Sequence, residues 1–129
     1  MKKINRILTN ICAEKLQESK VFYTKLFDFD VDFESNWFIH LISADKQLEL
    51  GIIDRKNEIV PQEVQHQPQG FYITFVVDDV DVLFEVAKAE NFEIVEPPKD
   101  TFYGQRRLLL KDPEGTIVDI SAPMPNFEF

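Results

Sequence analysis

At 129 residues and 15.1 kDa, with 44% hydrophobic residues, the chain has the size and composition of one ordinary domain able to bury a core. Four Gly and seven Pro are too few for a low-complexity chain, and no apolar run approaches the ~20 residues of a membrane-spanning helix. A formal net charge of -9, with Lys and Arg scattered, excludes nucleic acid and anionic membranes as partners, because both are bound through clustered basic residues.

Met1-Lys2-Lys3-Ile4-Asn5-Arg6 opens as a signal peptide would, but Thr9 and Asn10 interrupt the apolar block that should follow, so no export signal is read. The single cysteine, Cys12, precludes an intrachain disulfide, and a cytoplasmic location is expected. Arg6 to Ala13 alternates as a strand, with Leu8, Asn10 and Cys12 on one face. The period then lengthens: Leu16, Ser19, Tyr23, Leu26 and Phe27 trace one side of a helix, which Asp28 can close in the left-handed conformation. Strands are predicted at Phe29 to Glu34, Trp37 to Ser43 and Leu48 to Ile53.

Residues 54–70 are polar and interrupted by Pro61 and Pro68, which predicts a linker. After it the order begins again. Phe71 to Val77 reads as a strand, Asp78 or Asp79 as a helix N-cap, and Val80, Leu83, Phe84 and Ala87 as a helix stripe closed by Asn91. Strands at Glu93 to Glu96, Arg106 to Lys111 and Ile117 to Ala122 follow, the last two joined by the turn Asp112-Pro113-Glu114-Gly115. Asp28-Phe29-Asp30-Val31 is echoed 63 positions later by Asn91-Phe92-Glu93-Ile94, so the chain reads as an internal duplication: module one 4–53, module two 71–122, and a loose tail 123–129.

Leu16, Ser19 and Phe22-Tyr23, then Thr74-Phe75-Val76-Val77-Asp78-Asp79-Val80-Asp81, and above all Gly104-Gln105-Arg106-Arg107 with Lys111-Asp112-Pro113-Glu114-Gly115-Thr116-Ile117-Val118-Asp119, resemble the vicinal oxygen chelate superfamily of glyoxalases, bleomycin-resistance proteins and extradiol dioxygenases. The resemblance implies an α+β fold of two tandem βαβββ modules with pseudo-twofold symmetry, forming a half-barrel cup in a single domain. It also implies four metal-ligand positions in metal-dependent members, which fall here on Leu8, Glu49, Tyr72 and Asp119. Only Glu49 and Asp119 are suitable donors, since a leucine offers no donor atom and a phenol stays protonated near neutral pH.

Glu49 and Asp119 are therefore the candidate catalytic or cation-binding pair, and no metal ligand is assigned. No cofactor is expected; a bound divalent metal is the lesser expectation. The candidate pocket comprises Leu8, Asn10, Trp37, His40, Tyr72, Thr74, Phe102, Tyr103 and Arg106. Alternation sends one of Arg106 and Arg107 inward, where it could meet Asp119 or an anionic ligand group. Cys12 is read as a small buried hydrophobe, with no base nearby to activate it. These readings predict a homodimeric binding protein for a small and, from the acidic composition, cationic molecule. The alternatives are a metal-dependent lyase or dioxygenase using Glu49, Asp119 and a third ligand such as His40, a metal-free isomerase with a carboxylate base, and a non-catalytic structural or regulatory domain.

Overall fold

Ile11 and Ala13 are fully buried while their neighbours Asn10 and Cys12 are not, so strand β1 (Asn10–Ala13) turns one face to a core and the other outward. The computed structural model describes residues 2–125. After β1 come helix α1 (Leu16–Leu26), β2 (Phe29–Glu34), β3 (Phe38–Ser43) and β4 (Glu49–Asp54). They form a four-stranded sheet of order β1-β4-β3-β2, with β1 parallel to β4 and the other pairs antiparallel. Helix α1 buries Ser19, Phe22, Tyr23 and Leu26, and Ile39, Leu41, Leu50 and Ile52 are buried on β3 and β4. His40 and Glu49 alternate with those residues and so belong to the opposite face of the sheet.

The chain divides into two compact units between Pro68 and Gln69. The second contains β5 (Tyr72–Val76), α2 (Val80–Ala89), β6 (Glu93–Asp100), β7 (Gln105–Lys111) and β8 (Ile117–Pro123), in sheet order β5-β8-β7-β6. Again the first and last strands run parallel. Its core draws on Val80, Ala87, Leu108, Leu110, Val118 and Ile120. Each unit is thus the βαβββ arrangement expected from the duplication.

Local chemistry sets the element ends, and not always as expected. Asp79 caps α2 by accepting from the backbone N–H groups of Asp81 (3.1 Å) and Val82 (3.3 Å). Asn91 closes that helix with φ 59°, whereas α1 ends at Phe27 in extended backbone (φ -128°), so the left-handed closure expected at Asp28 is not formed. The first strand starts at Asn10, four residues later than Arg6, although the Thr9 carbonyl still accepts from Gly51 N–H at 2.8 Å. Trp37 lies just outside β3.

Strand β6 runs on through Pro97 and Pro98 to Asp100, beyond the end expected at Glu96. An edge strand tolerates missing N–H donors, and a register shift between Glu96 and Lys99 accommodates them. In the turn before β8, Asp112 Oδ1 accepts from the N–H groups of Glu114 and Thr116, and Gly115 supplies φ 89°. Pro123 belongs to β8, so the tail expected from that residue starts later; its last part, 126–129, lies outside the described residues.

Candidate functional site

In the second unit, one face of three adjacent strands carries a polar stripe. The register sets Thr74 beside Asp119, and Val76 beside Ser121, which in turn faces Arg107. Tyr72, Gln105 and Pro123 extend this face, and with Tyr103 they bound a cavity of about 500 Å³. That is the size range of small-molecule sites.

Asp119 forms the floor of the cavity and is only 5% exposed. Thr74 Oγ1 donates to its Oδ2 at 3.0 Å, and Ser121 Oγ donates to its Oδ1. Arg107 Nε stands 3.5 Å from Asp119 Oδ1, close enough for an ion pair but not for a hydrogen bond, and this buried nitrogen has no hydrogen-bond partner. Buried donors are seldom left so, and this one is turned to the Asp119 carboxylate, its nearest charged neighbour.

The first unit carries a different cluster. Arg6 Nε lies 2.8 Å from both Glu49 oxygens, and its Nη2 also contacts Glu49 and reaches His40 Nε2 at 3.3 Å. His40 Nε2 meets Glu49 Oε1 at 2.8 Å, and His40 Nδ1 meets Asp32 Oδ2 at 3.0 Å. The Arg6 guanidinium, reinforced by His40, holds the Glu49 carboxyl down at about 2. Each ring nitrogen of His40 is committed to a carboxylate, and the Phe38 ring stacks at 6.5 Å. This is a closed ion-pair network, not a waiting base.

The predicted site residues therefore separate into groups. Tyr72, Thr74, Tyr103 and Asp119 come together around the cavity. Arg106 does not join them: it faces away and bonds Asp81 and Asp100, and Arg107 takes the inward position instead. Phe102 is 92% exposed, touching Tyr103 edge-on at 5.3 Å, and is not a cavity wall. Glu49 and His40 lie in the first-unit network. Leu8 precedes β1, Asn10 sits over Gly51, and Trp37 lies against Phe38 at 5.8 Å. Cys12 is half-buried, and burial pushes its thiol up, away from nucleophilic use. Arg6, Asp32, Gln105 and Ser121 were not singled out as site residues by the sequence, and Arg107 only as the alternative to Arg106.

Residues 3–120 match the family described as "Glyoxalase/Bleomycin resistance protein/Dioxygenase superfamily". The chain belongs to that superfamily. Solved structures agree on the fold. A glyoxalase/bleomycin resistance protein/dioxygenase family enzyme from Burkholderia phytofirmans is 24% identical, with 91% of this chain and 97% of that one covered at a TM-score of 0.75. A lactoylglutathione lyase from Agrobacterium tumefaciens is 19% identical, covering 94% and 96%, with a TM-score of 0.69. A bleomycin-binding protein complexed with bleomycin is 16% identical, covering 92% and 98%, with a TM-score of 0.64. At these identities the likeness establishes fold and not activity. No curated protein matches the chain.

For a glyoxalase-superfamily metal, the donor set is poor. Leu8 has no donor atom, and Tyr72 offers a phenol where an imidazole or carboxylate would serve. Glu49 is taken up by Arg6 and His40, and Asp119, whose oxygens each accept one hydroxyl proton and keep further acceptor capacity, stands alone as a donor. Among the described residues, no group of three or more His, Cys, Asp or Glu is placed to hold an ion. The residues do not fit the metal.

Proposed function

We propose that this superfamily member is a metal-independent small-molecule-binding protein of the glyoxalase and bleomycin-resistance type. The observation that carries this reading is the second-unit cavity, whose polar floor of Asp119, Arg107, Thr74 and Ser121 is flanked by the two tyrosines. A few convergent polar groups with aromatic walls suit orientation of a ligand. The bleomycin complex of a fold relative supports a binding role by analogy. A homodimer belongs to the same proposal, supported by exposed apolar side chains outside the cavity such as Phe33, Val82 and Phe102, and sedimentation measures it.

Against a metal-dependent lyase or dioxygenase stands the commitment of Glu49 to Arg6. Elemental analysis of protein purified without chelator, repeated after incubation with Zn, Ni, Mn, Fe(II) and Co, tests the proposal. Metal below about a tenth of an equivalent agrees with it. Near-stoichiometric metal that Glu49→Ala or Asp119→Ala removes overturns it and makes lyase and dioxygenase assays the next step.

A further inference from the structure

Resting on the binding reading above, we propose that the second-unit cavity takes a zwitterion of the α-amino-acid type, its carboxylate bound by Arg107 and its ammonium by Asp119 with Thr74 and Ser121. The direction of the hydrogen bonds carries the inference. Thr74 and Ser121 each give their single hydroxyl proton to Asp119, so toward the cavity both oxygens can only accept. The Asp119 side of the cavity is therefore a cluster of acceptors around one negative charge. It complements a ligand that brings several donors and a positive charge, as an ammonium does.

The Arg107 side has the opposite character. A guanidinium carries five N–H donors and no acceptor. Arg107 makes no side-chain hydrogen bond to any described residue; its Nε faces Asp119 across 3.5 Å without bonding. Its planar fork matches a carboxylate in a two-point contact. The Gln105 side chain on the same strand face adds an amide beside it.

Charge decides between ligand classes. One cation and one anion line this cavity, so a ligand of a single sign meets one attraction and one repulsion at short range. A zwitterion meets two attractions. The chain's net charge of -9 weighs less than these neighbours, because at physiological salt charges beyond about 8 Å are largely screened. Tyr72 and Tyr103 at the cavity wall offer flat surfaces for an apolar or aromatic side chain. The cation expected from composition is kept, and an anion on the same molecule is added.

The test uses the ¹⁵N-labelled full chain and three probes of one shape: L-phenylalanine, phenethylamine without the carboxylate, and N-acetyl-L-phenylalanine without the ammonium. Phenylalanine is expected to shift the amide signals of Thr74, Arg107, Asp119 and Ser121 and the Arg107 Nε–H signal. Each singly charged probe is expected to bind about tenfold or more weakly, as loss of one charge-assisted contact implies. Arg107→Gln should bring phenylalanine down to phenethylamine.

A singly charged probe that equals or exceeds phenylalanine on the native chain overturns the inference and leaves the binding reading intact. Absence of any shift at the cavity with all three probes at about 10 mM, too weak for a two-point charged contact, overturns it as well. The metal measurement judges the binding reading independently. Because the probe series is run on the native protein, the result does not depend on a variant that folds poorly.

Discussion

Arg6 holds Glu49 from two sides, its Nε lying 2.8 Å from each carboxylate oxygen, although the two residues are 43 positions apart. Arg6 stands before the first residue of β1, in a segment without ladder pairing of its own. The ion pair ties that segment to the start of β4, beside the backbone bond from Gly51 N–H to the Thr9 carbonyl. Bound this way, the Glu49 carboxyl is held down at about 2, below the ordinary 4.5, and keeps its charge in mild acid.

Arg6→Ala should return the Glu49 titration toward 4.5, as followed by NMR of its carboxyl carbon. The stability consequence has a definite sign. A folded-state value below the unfolded one adds stability that is complete above about pH 4.5 and is lost as pH falls toward 2. Between those limits the thermal midpoint of the native chain should fall more steeply than that of Arg6→Ala.

The helix starts differ in a way that mutation can expose. Asp79 accepts two backbone N–H groups at the start of α2, while Lys15 at the start of α1 makes no side-chain cap. Asp79→Ala should lower stability by about 1 kcal/mol in urea unfolding, whereas Lys15→Asp should raise it by a similar or smaller amount. Effects of the same sign in the two would contradict the capping geometry.

Gly51 lies in β4 where a methyl group would collide with Asn10 Oδ1 and sit 3.1 Å from the Phe38 ring. The exposed Asn10 side chain can swing aside more readily than the ring. Gly51→Ala should therefore cost about 1 kcal/mol, from the ring contact, and Asn10→Ala in the same background should recover only part of it.

Adjacent arginines should behave oppositely. Arg106 ties Asp81 to Asp100, and its hydrogen bonds keep the Asp81 carboxyl below its usual range. Arg106→Gln should leave ligand affinity at the cavity within about twofold and shift only stability, by less than about 1 kcal/mol for so exposed a pair. Arg107→Gln should weaken ligand binding about tenfold, with some loss of stability because Asp119 is left buried without its cation, and titration calorimetry with one ligand on both variants separates them.

Much of this architecture is legible in the residues, and the gaps have identifiable causes. The switch from alternation to a three-to-four spacing at Leu16 and again at Val80 marks both helices. Asp112-Pro113-Glu114-Gly115 marks the last turn, and the echo of residues 28–31 in 91–94 marks the duplication. The choice between Arg106 and Arg107 failed because Leu108, Leu109 and Leu110 are apolar on both faces, so the strand displays no alternation to fix parity.

Asp32 stayed hidden for another reason. Val31 pairs with Leu41 and Phe33 with His40, so Asp32 is the extra residue of a bulge, and counting along the strand cannot tell where a bulged side chain points. The Arg6 contact depends on a long side chain reaching back from irregular backbone, which no periodicity encodes.

Pro97 and Pro98 carry a consequence for how the protein keeps to itself. Strand β6 is an outer member of its sheet, and a free strand edge invites a foreign strand to continue the ladder. Two consecutive prolines lack two N–H groups on residues that project to opposite sides, so whichever way the pleat runs, one gap falls on the open border. A strand arriving there finds its pairing interrupted halfway. That border of the second sheet is a poorer template for fibril-like growth, owing to the same residues that make its strand hardest to recognise in the sequence.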